Sequence, residues 1–355
     1  MTTILRETTT PPAPGPRRGR HRRRRLVLLC LGLVLLLPLA AVLGTGHLLN
    51  RQIDRLPGVF DGLDDRPAAG QAQGDGRPLT VLLLGTDRRS ATATTGSAAG
   101  APAWVPGAQR SDATMLLRIS ADRSHVAVIS LPRDSWVEVP GHGTAKINAA
   151  YSWGGPRLAV ETVERLTDVR IDHVAVVDWA GFGAMVDALG GIDVEVPETV
   201  RDGYRRQTWT AGRHHLDGDE ALLYTGQRLG LPRGDLDRVR RQHVVLRALS
   251  AAALGAVDDP VALYRLVDEL TEHLSVDDGW SARDMVGLAL SLRGVRADDV
   301  SYLTVPVAGT GTRGSQSVVL LDDAGAAGLW QAVRDDEVEQ WLAAHPEDAT
   351  GHVVP

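Results

Sequence analysis

The sequence contains very little cysteine and lysine. Its only cysteine, Cys30, lies in an apolar run, which excludes a disulfide framework and a thiolate metal site. Its only lysine is Lys146, so arginine supplies almost all of the positive charge. The sequence also lacks a serine nucleophile elbow, a zinc motif and a glycine-rich nucleotide loop. These absences argue against serine hydrolases, zinc enzymes and nucleotide kinases.

Charge is distributed unevenly along the chain. Residues 1–25 hold eight arginines and one acid, a charge of +7, whereas residues 26–50 hold no charged residue. Because the whole chain has a formal charge of -6, residues 51–355 carry -13. Nucleic acids are bound by clustered positive charge, so this acidic part of the chain argues against nucleic acid as a partner.

The uncharged segment at residues 26–50 is rich in leucine, valine and alanine. As a helix it would be roughly 37 Å long, more than the ~30 Å core of a bilayer requires. The arginines before it predict a cytoplasmic tail at residues 1–25 and an exported remainder. We therefore predict a single-pass anchor in the cell membrane with an extracellular C-terminal part. A cleaved signal peptide is the alternative.

The rest of the chain has the pattern of one α/β domain. Residues 51–77 are rich in Gly, Pro, Asp and Ala, which is typical of a linker, and a short helix is expected at its start. Apolar runs predict strands, and helical periodicity predicts helices. The predicted strands are 79–84, 114–119, 125–131, 173–177, 192–196 and 300–307. The predicted helices are 157–166, 182–189, 236–257, 260–274, 281–292 and 324–333.

Interleaved strands and helices, without an internal repeat, predict one three-layer domain over residues 78–335. Residues 336–355 are then a C-terminal tail, which we expect to be disordered from about His345.

Charged residues cluster at strand ends and turns, where functional sites tend to lie. Carboxylates such as Asp87 and Asp112 are the hard oxygen ligands that suit Mg²⁺. Arginines bind phosphate through paired N–H groups, and the candidates are Arg110, Arg133, Arg228 and Arg238. Such a combination fits phosphoryl transfer, in which positioning and charge neutralisation dominate. A single Asp–Arg pair is more often an ordinary ion pair, so the residues alone leave both interpretations open.

One further group is expected on a helix. Asp235, Arg238 and Gln242 are spaced i, i+3 and i+7, which places them on one helical face.

Six segments follow one another between about residues 79 and 250: VLLLGTDRR, RSDATMLLRIS, VAVISLPRDSWVEVP, KINAAYSWGG, DHVAVVDWAGFGAMVDALGGIDVEVP and LDGDEALLYTGQRLGLPRGDLDRVRRQ. Together they resemble the LytR-CpsA-Psr family of bacterial cell-wall enzymes. Weaker similarity continues to about residue 335. No single segment is specific for the family, but six segments in the family's order are highly specific for it. Frequent Arg, Ala and Gly favour an actinobacterial type.

The resemblance implies a three-layer αβα fold with a central mixed, largely antiparallel sheet and an apolar channel for a polyprenyl tail. It implies a phosphotransferase that moves a glycopolymer from a polyprenyl (pyro)phosphate carrier to a muramic acid hydroxyl of peptidoglycan. The implied partners are the lipid-linked polymer, peptidoglycan and membrane lipid. The alternatives are a polyprenyl pyrophosphate phosphatase and a non-catalytic binder of the polymer. A transcriptional regulator is disfavoured, because an acidic domain outside the membrane does not suit it.

The resemblance also implies roles for individual residues. Asp87 and Asp112 would hold Mg²⁺ or Mn²⁺ near the pyrophosphate. Asp235 would orient the arginines or assist the acceptor, and it joins Asp87, Asp112 and Arg133 as an implied catalytic residue. The implied phosphate-binding residues are Arg110, Arg133, Lys146, Arg228, Arg238 and Gln242.

One position departs from the family pattern. The family has arginines two and four residues after the tyrosine that matches Tyr224, and this chain has Gly226 and Arg228 there. Either another arginine such as Arg206, Arg213 or Arg233 substitutes, or the site binds phosphate more weakly.

Overall fold

A computed structural model describes residues 53–70, 76–86, 94–96, 101–256 and 272–351, together with residues 99, 268 and 354. The predicted tail at 1–25, the predicted anchor at 26–50 and the site residue Asp87 lie outside these residues. Within the residues described, no helix combines the length and the apolar character needed to cross a bilayer.

The strands alternate with helices along most of the chain. The strands are β1 Asp54–Leu56, β2 Leu79–Thr86, β3 Ser111–Ile119, β4 Val126–Leu131, β5 Trp136–Val139, β6 Gly143–Lys146, β7 His173–Asp178, β8 Ile192–Val196, β9 Val200–Asp202, β10 Gln207–Trp209, β11 Gly212–Leu216, β12 Leu274–Asp277, β13 Val300–Thr304, β14 Val307–Arg313 and β15 Gln316–Leu321. The helices are α1 Asn148–Thr167, α2 Trp179–Ala188, α3 Gly218–Gly226, α4 Asp235–Ala256, α5 Ala282–Ser291, α6 Asp323–Asp335 and α7 Val338–Ala344.

A seven-stranded sheet forms the centre of the domain, in the order β1-β12-β7-β2-β3-β4-β13. The pairs β2–β3, β3–β4 and β7–β12 are antiparallel, whereas β2–β7, β4–β13 and β1–β12 are parallel. The predicted mixed sheet is therefore confirmed, but antiparallel pairs do not predominate. Parallel pairs need a crossover connection, and α1 supplies part of the one that returns β7 to the side of β2.

Helices cover both faces of this sheet. On one face Leu82 belongs to a buried cluster with Val160 of α1 and Leu329 of α6. On the other face Met115 belongs to a cluster against which Leu288 of α5 packs. Because both faces are covered, β2 is a nearly continuous apolar run rather than an alternating one. The expected three layers are present.

A smaller group of elements packs beside α4 around its own apolar cluster, which includes Val194 of β8, Tyr224 of α3 and Val245 of α4. Helix α3 begins with a capping box, in which Asp217 and Glu220 each accept from the other's backbone N–H. Neither this helix nor the short strands β9, β10 and β11 were predicted. Helix α3, strand β9 and the turn after β9 contribute residues to the lining of the site described below.

Both ends of the predicted domain differ from expectation. The linker segment contributes β1 to the edge of the sheet, where Asp54–Leu56 pairs in parallel with β12, and the described residues of this segment contain no helix. At the other end, Ala349 bridges to Leu303, and Thr350 and Val354 are buried. The prediction of disorder from His345 is therefore wrong for these described residues.

Two predicted elements end in different places. The predicted helix at 260–274 lies mostly outside the described residues, and its last residue, Leu274, instead begins β12. The predicted strand at 300–307 ends at Thr304, and a separate hairpin strand begins at Val307.

Candidate active site

A cavity of about 320 Å³ lies against the central sheet and the helices α2, α3 and α4. Its apolar walls include Leu83, Met115, Phe182, Leu222 and Leu246. Its polar walls include Asp112, Arg205, Arg228, Arg238 and Gln242. An apolar cavity with a few polar groups is typical of small-molecule sites, and here several of these groups are cations.

The register of the central sheet brings Asp112 and Arg133 together. The end of β2 meets the start of β3, because Thr86 pairs with Ser111. Strand β4 ends on the other side of β3, where Thr114 pairs with Leu131. Asp112 and Arg133 therefore lie at the same edge of the sheet, and Arg133 Nη1 donates a hydrogen bond to Asp112 Oδ1.

Helix α4 adds a carboxylate to this pair of residues. Asp235 Oδ1 lies 3.1 Å from Arg238 Nη2, 3.5 Å from Arg228 Nε and 4.0 Å from Arg133 Nε. Arg238 Nη2 also donates to the backbone carbonyl of Asp112 at 3.4 Å. The side chain of Asp235 thus lies among three guanidinium groups.

The β5–β6 hairpin brings Lys146 to the same cluster. Lys146 Nζ lies 3.1 Å from Asp134 Oδ1, and the same oxygen lies 3.8 Å from Arg133 Nε. The only lysine of the chain is therefore connected to the arginine cluster through the carboxylate of Asp134.

The cluster has more positive than negative charge: the cations Arg133, Lys146, Arg228 and Arg238 surround the carboxylates Asp112, Asp134 and Asp235. Burial lowers the pKa of Arg238 to about 10, so it remains protonated at neutral pH. Burial also opposes protonation of Arg133, but the carboxylates of Asp112, Asp134 and Asp235 outweigh it and raise its pKa.

Two of these guanidinium groups have a donor that no described residue uses. Arg133 Nε and Arg238 Nε are buried and have no hydrogen-bond partner among the described residues. A buried donor without a partner is costly, and of these two arginines Arg238 lines the cavity, where a bound oxyanion would relieve this cost.

Of three further predicted site residues, one lines the cavity, one lies outside its lining and one lies outside the described residues. Gln242 lines the cavity one turn beyond Arg238, so the predicted helical face of Asp235, Arg238 and Gln242 is present on α4. Arg110 is exposed just before β3 and lies outside the lining of the cavity. Asp87 follows Thr86 in the chain but lies outside the described residues.

Three residues near the site were not predicted as parts of it: Thr86, Asp134 and Arg205. Thr86 ends a buried strand and lines the cavity, and its Oγ1 is buried without a hydrogen-bond partner in the described part of the chain. Arg205 reaches the cavity from the turn between β9 and β10. Two short strands carry no periodic signal, so no sequence pattern placed Arg205 there.

The three arginines proposed to replace the one missing at Gly226 lie elsewhere. Arg213 pairs with Asp193 at 2.8 Å on the exposed β8–β11 ladder. Arg233 pairs with the buried Asp237 at 2.8 Å. Arg206 is exposed and lies outside the lining of the cavity.

The cavity contains oxygen atoms that could bind a divalent cation. Among the residues described, no three His, Cys, Asp or Glu side chains converge on a metal site. Mg²⁺, however, commonly binds through one or two carboxylates together with water and substrate phosphate. Asp112 and the unpartnered Thr86 Oγ1 line the same cavity and are oxygen donors of this kind.

The fold and the site together define an α/β protein whose cavity joins an arginine cluster to apolar walls, an arrangement that suits a phosphate carried on an apolar chain. The sequence pattern of the LytR_cpsA_psr family matches residues 63–334, and the chain belongs to this family. The resemblance seen in the six ordered segments is confirmed.

Known proteins show the same relationship. The chain is 30% identical to the cell wall biosynthesis protein LcpA of Corynebacterium glutamicum, over 79% of this chain and 60% of LcpA. It is also 30% identical to the polyisoprenyl-teichoic acid–peptidoglycan teichoic acid transferase TagU of Halalkalibacterium halodurans, over 78% of this chain and 91% of TagU. The fold is similar to that of B. subtilis TagV, with a TM-score of 0.60 and 24% identity over 75% of this chain and 99% of TagV. The chain spans about 60% of the length of LcpA.

Proposed function

We propose that this protein is a phosphotransferase that moves a glycopolymer from a polyprenyl (pyro)phosphate carrier to a hydroxyl of peptidoglycan during cell-wall assembly. The observation that carries the proposal is the cavity in which Arg228 and Arg238 adjoin apolar walls. Arginines bind phosphate, and apolar walls bind a polyprenyl chain, so one cavity accommodates both parts of the carrier. Membership of the family and the transferase named TagU support this chemistry.

The arginine cluster would act by binding and neutralising the pyrophosphate. Arg133, Arg228 and Arg238 converge on Asp235, so their guanidinium groups are held in place before the substrate arrives. The acceptor hydroxyl attacks the phosphorus next to the polymer, and the bond from that phosphorus to polyprenyl phosphate breaks. Polyprenyl phosphate and a proton leave. Arginines positioned in advance stabilise the charge that moves to the leaving group.

Asp235 is better suited to orientation than to proton transfer. Its Oδ1 lies within 4.0 Å of nitrogens of three guanidinium groups, and its side chain does not line the cavity. Of the two roles left open by the sequence, we therefore assign Asp235 the orientation of Arg133, Arg228 and Arg238.

A divalent cation, Mg²⁺ or Mn²⁺, is part of the proposal. Asp112 and Thr86 would hold it, and Asp87 would supply a second carboxylate. When bound, such an ion neutralises pyrophosphate charge beside the arginines. Asp112 would share its carboxylate between the cation and Arg133, to which it is already hydrogen-bonded.

The location of the site follows from the charge pattern of the N-terminal segment. We propose that residues 26–50 anchor the chain in the cell membrane, with residues 1–25 in the cytoplasm and the enzyme domain outside. Such an anchor would confine the enzyme and its lipid-linked donor to the same membrane, next to the peptidoglycan acceptor.

A transfer assay tests the proposal. The purified full-length chain in detergent is supplied with a labelled polyprenyl pyrophosphate oligosaccharide, peptidoglycan fragments and Mg²⁺. We expect label to join the peptidoglycan, and Arg133→Gln and Asp112→Asn to lower kcat/KM by about a hundredfold or more. Arg213→Gln is the matched control, because Arg213 is exposed and paired away from the cavity.

The other possible results of this assay would identify a different function or reject part of the proposal. Release of lipid phosphate without transfer would identify a phosphatase instead. Binding without turnover would identify a non-catalytic binder. Equal transfer by wild type and both site variants would reject the assignment of this cavity, and activity unaffected by a chelator would reject the cation.

A further inference from the structure

Gly226 leaves space in the cavity wall that the guanidinium group of Arg205 fills. A Cβ atom placed on Gly226 would lie 2.8 Å from Arg205 Nη2 and 3.2 Å from Arg205 Cζ. Both residues line the cavity, as do Arg228 and Arg238. The guanidinium group of Arg205 therefore occupies the position into which a side chain at residue 226 would project.

Arg205 is held in this position by its own turn. Asp202 Oδ1 accepts hydrogen bonds from the backbone N–H groups of Tyr204 at 2.9 Å and Arg205 at 3.1 Å. Asp202 Oδ2 lies 3.4 Å from Arg205 Nη1. Asp202 is 2% exposed, so a buried carboxylate fixes both the backbone and the side chain of Arg205.

The two terminal nitrogens of Arg205 have different surroundings. Nη1 is directed to Asp202, whereas Nη2 lies beside Gly226, which like Arg205 lines the cavity. Since Asp202 already accepts two backbone N–H groups, the turn does not depend on the guanidinium group alone. A guanidinium group that served only to pair with Asp202 would not need to line the cavity. The position of Nη2 therefore suits contact with a ligand.

We propose that Arg205 is a further phosphate-binding residue of this cavity, and that residue 226 is glycine because a side chain there would displace the guanidinium group. The proposal rests on the proposed function, because the phosphate is that of the polyprenyl donor. It assigns a binding cation to the β9–β10 turn, so the arginines that surround the phosphate come from different elements of the fold.

A pair of soluble ligands separates phosphate binding from apolar binding. Geranyl pyrophosphate carries the phosphates and a short isoprenoid chain, and geraniol carries the chain alone. With the full-length chain in detergent, we expect Arg205→Gln to raise the Kd of geranyl pyrophosphate by roughly tenfold to a hundredfold. The Kd of geraniol should stay the same, and the kcat/KM of transfer should fall with the affinity for the donor.

Exchanging the two positions tests the geometry. Gly226→Ala should weaken binding of geranyl pyrophosphate, because its Cβ pushes Arg205 aside and also lies 3.2 Å from Trp179. Arg205→Gln/Gly226→Arg should recover most of the lost affinity, since the new arginine starts from the vacated position. Gly226→Arg alone should bind no more tightly than wild type, because two guanidinium groups would compete for one place.

Arg206→Gln is the matched control, since Arg206 lies on the same turn but is exposed and outside the cavity lining. It should bind both ligands as wild type does, and the thermal midpoint of every variant shows whether folding is intact. Unchanged pyrophosphate binding by Arg205→Gln would overturn the inference. Equal loss of both ligands would also overturn it, by showing a packing role. If wild type binds neither ligand, the proposed function itself fails.

Discussion

Asp235 and Arg238 form an ion pair one turn apart on helix α4, with 3.1 Å between Oδ1 and Nη2. Arg238 is 2% exposed, so its charge depends on a nearby carboxylate. The same oxygen of Asp235 also lies within 4.0 Å of Arg228 and Arg133. This carboxylate therefore lies close to three arginines whose positive charges repel one another.

Replacing Asp235 by asparagine keeps the shape of this side chain and removes its charge. We expect Asp235→Asn to lower the free energy of unfolding by roughly 1–3 kcal/mol, because the buried Arg238 loses its compensating partner. Urea denaturation measures this change. Transfer activity should fall as well, since the guanidinium groups are no longer held in position.

Asp193→Asn is the matched control for this prediction. Asp193 pairs with Arg213 on the exposed surface, where solvent screens the interaction, so the stability should not change measurably. If Asp235→Asn were as stable and as active as wild type, Asp235 would not organise the arginine cluster.

The pattern of residues along the chain predicted those features of the fold and the site that involve residues close together in the sequence. The apolar run from Leu79 to Leu84 is within β2, and Asp235, Arg238 and Gln242 share a face of α4. Strand and helix geometry fix these relationships over a few residues, so no tertiary information is needed. The ordered family segments added the expectation that the arginines lie together.

Contacts between segments that lie far apart in the sequence could not be predicted from such patterns. Asp54 pairs with Ser275 across more than 200 residues, and nothing in the composition of the linker marks it as a strand. Arg205 reaches the cavity because β9 and β10, each three residues long, form a hairpin. Strands this short have no measurable periodicity, so Arg206, Arg213 and Arg233 were equally plausible from sequence.

Lys146 provides a second test of the charge network, because it reaches Asp134 with 3.1 Å between Nζ and Oδ1. Without the lysine, Asp134 would compete with Asp112 for Arg133, which lies 3.8 Å from Asp134. We expect Lys146→Gln to lower kcat by roughly tenfold, the cost of about one charge-assisted contact in the transition state.

The variant Lys146→Arg distinguishes charge from shape. It keeps the positive charge beside Asp134, so it should retain more activity than Lys146→Gln in the transfer assay. Steady-state kcat and KM should be measured for both variants together with their thermal midpoints. If glutamine and arginine have the same effect, the charge of Lys146 does not act through Asp134.

His243 links the sheet to the C-terminal segment through two hydrogen bonds. Its Nε2 lies 2.6 Å from Ser130 Oγ, and its Nδ1 lies 2.7 Å from Thr350 Oγ1. Burial lowers the pKa of His243 to about 3, and the charge of Arg247 lowers it further in the same direction. The folded protein therefore holds this imidazole neutral over the whole physiological range.

The lowered pKa predicts a stability that falls as the pH falls. An unfolded chain binds a proton at this histidine near pH 6.5, whereas the folded protein does not until about pH 3. Because the unfolded state binds more protons between these values, the free energy of unfolding decreases there by up to about 1.4 kcal/mol per pH unit. From pH 7 to pH 5 the contribution of His243 is a loss of about 2 kcal/mol.

The variant His243→Gln isolates this contribution from that of the other titrating groups. Glutamine can still hydrogen-bond to Ser130 and Thr350, but it binds no proton in this range. Urea denaturation of both proteins at several pH values between 7 and 5 gives two slopes. Wild type should lose about 2 kcal/mol more than the variant over this interval, whatever their stabilities at pH 7. Parallel slopes would mean that the folded protein accepts a proton at His243 as readily as the unfolded chain does.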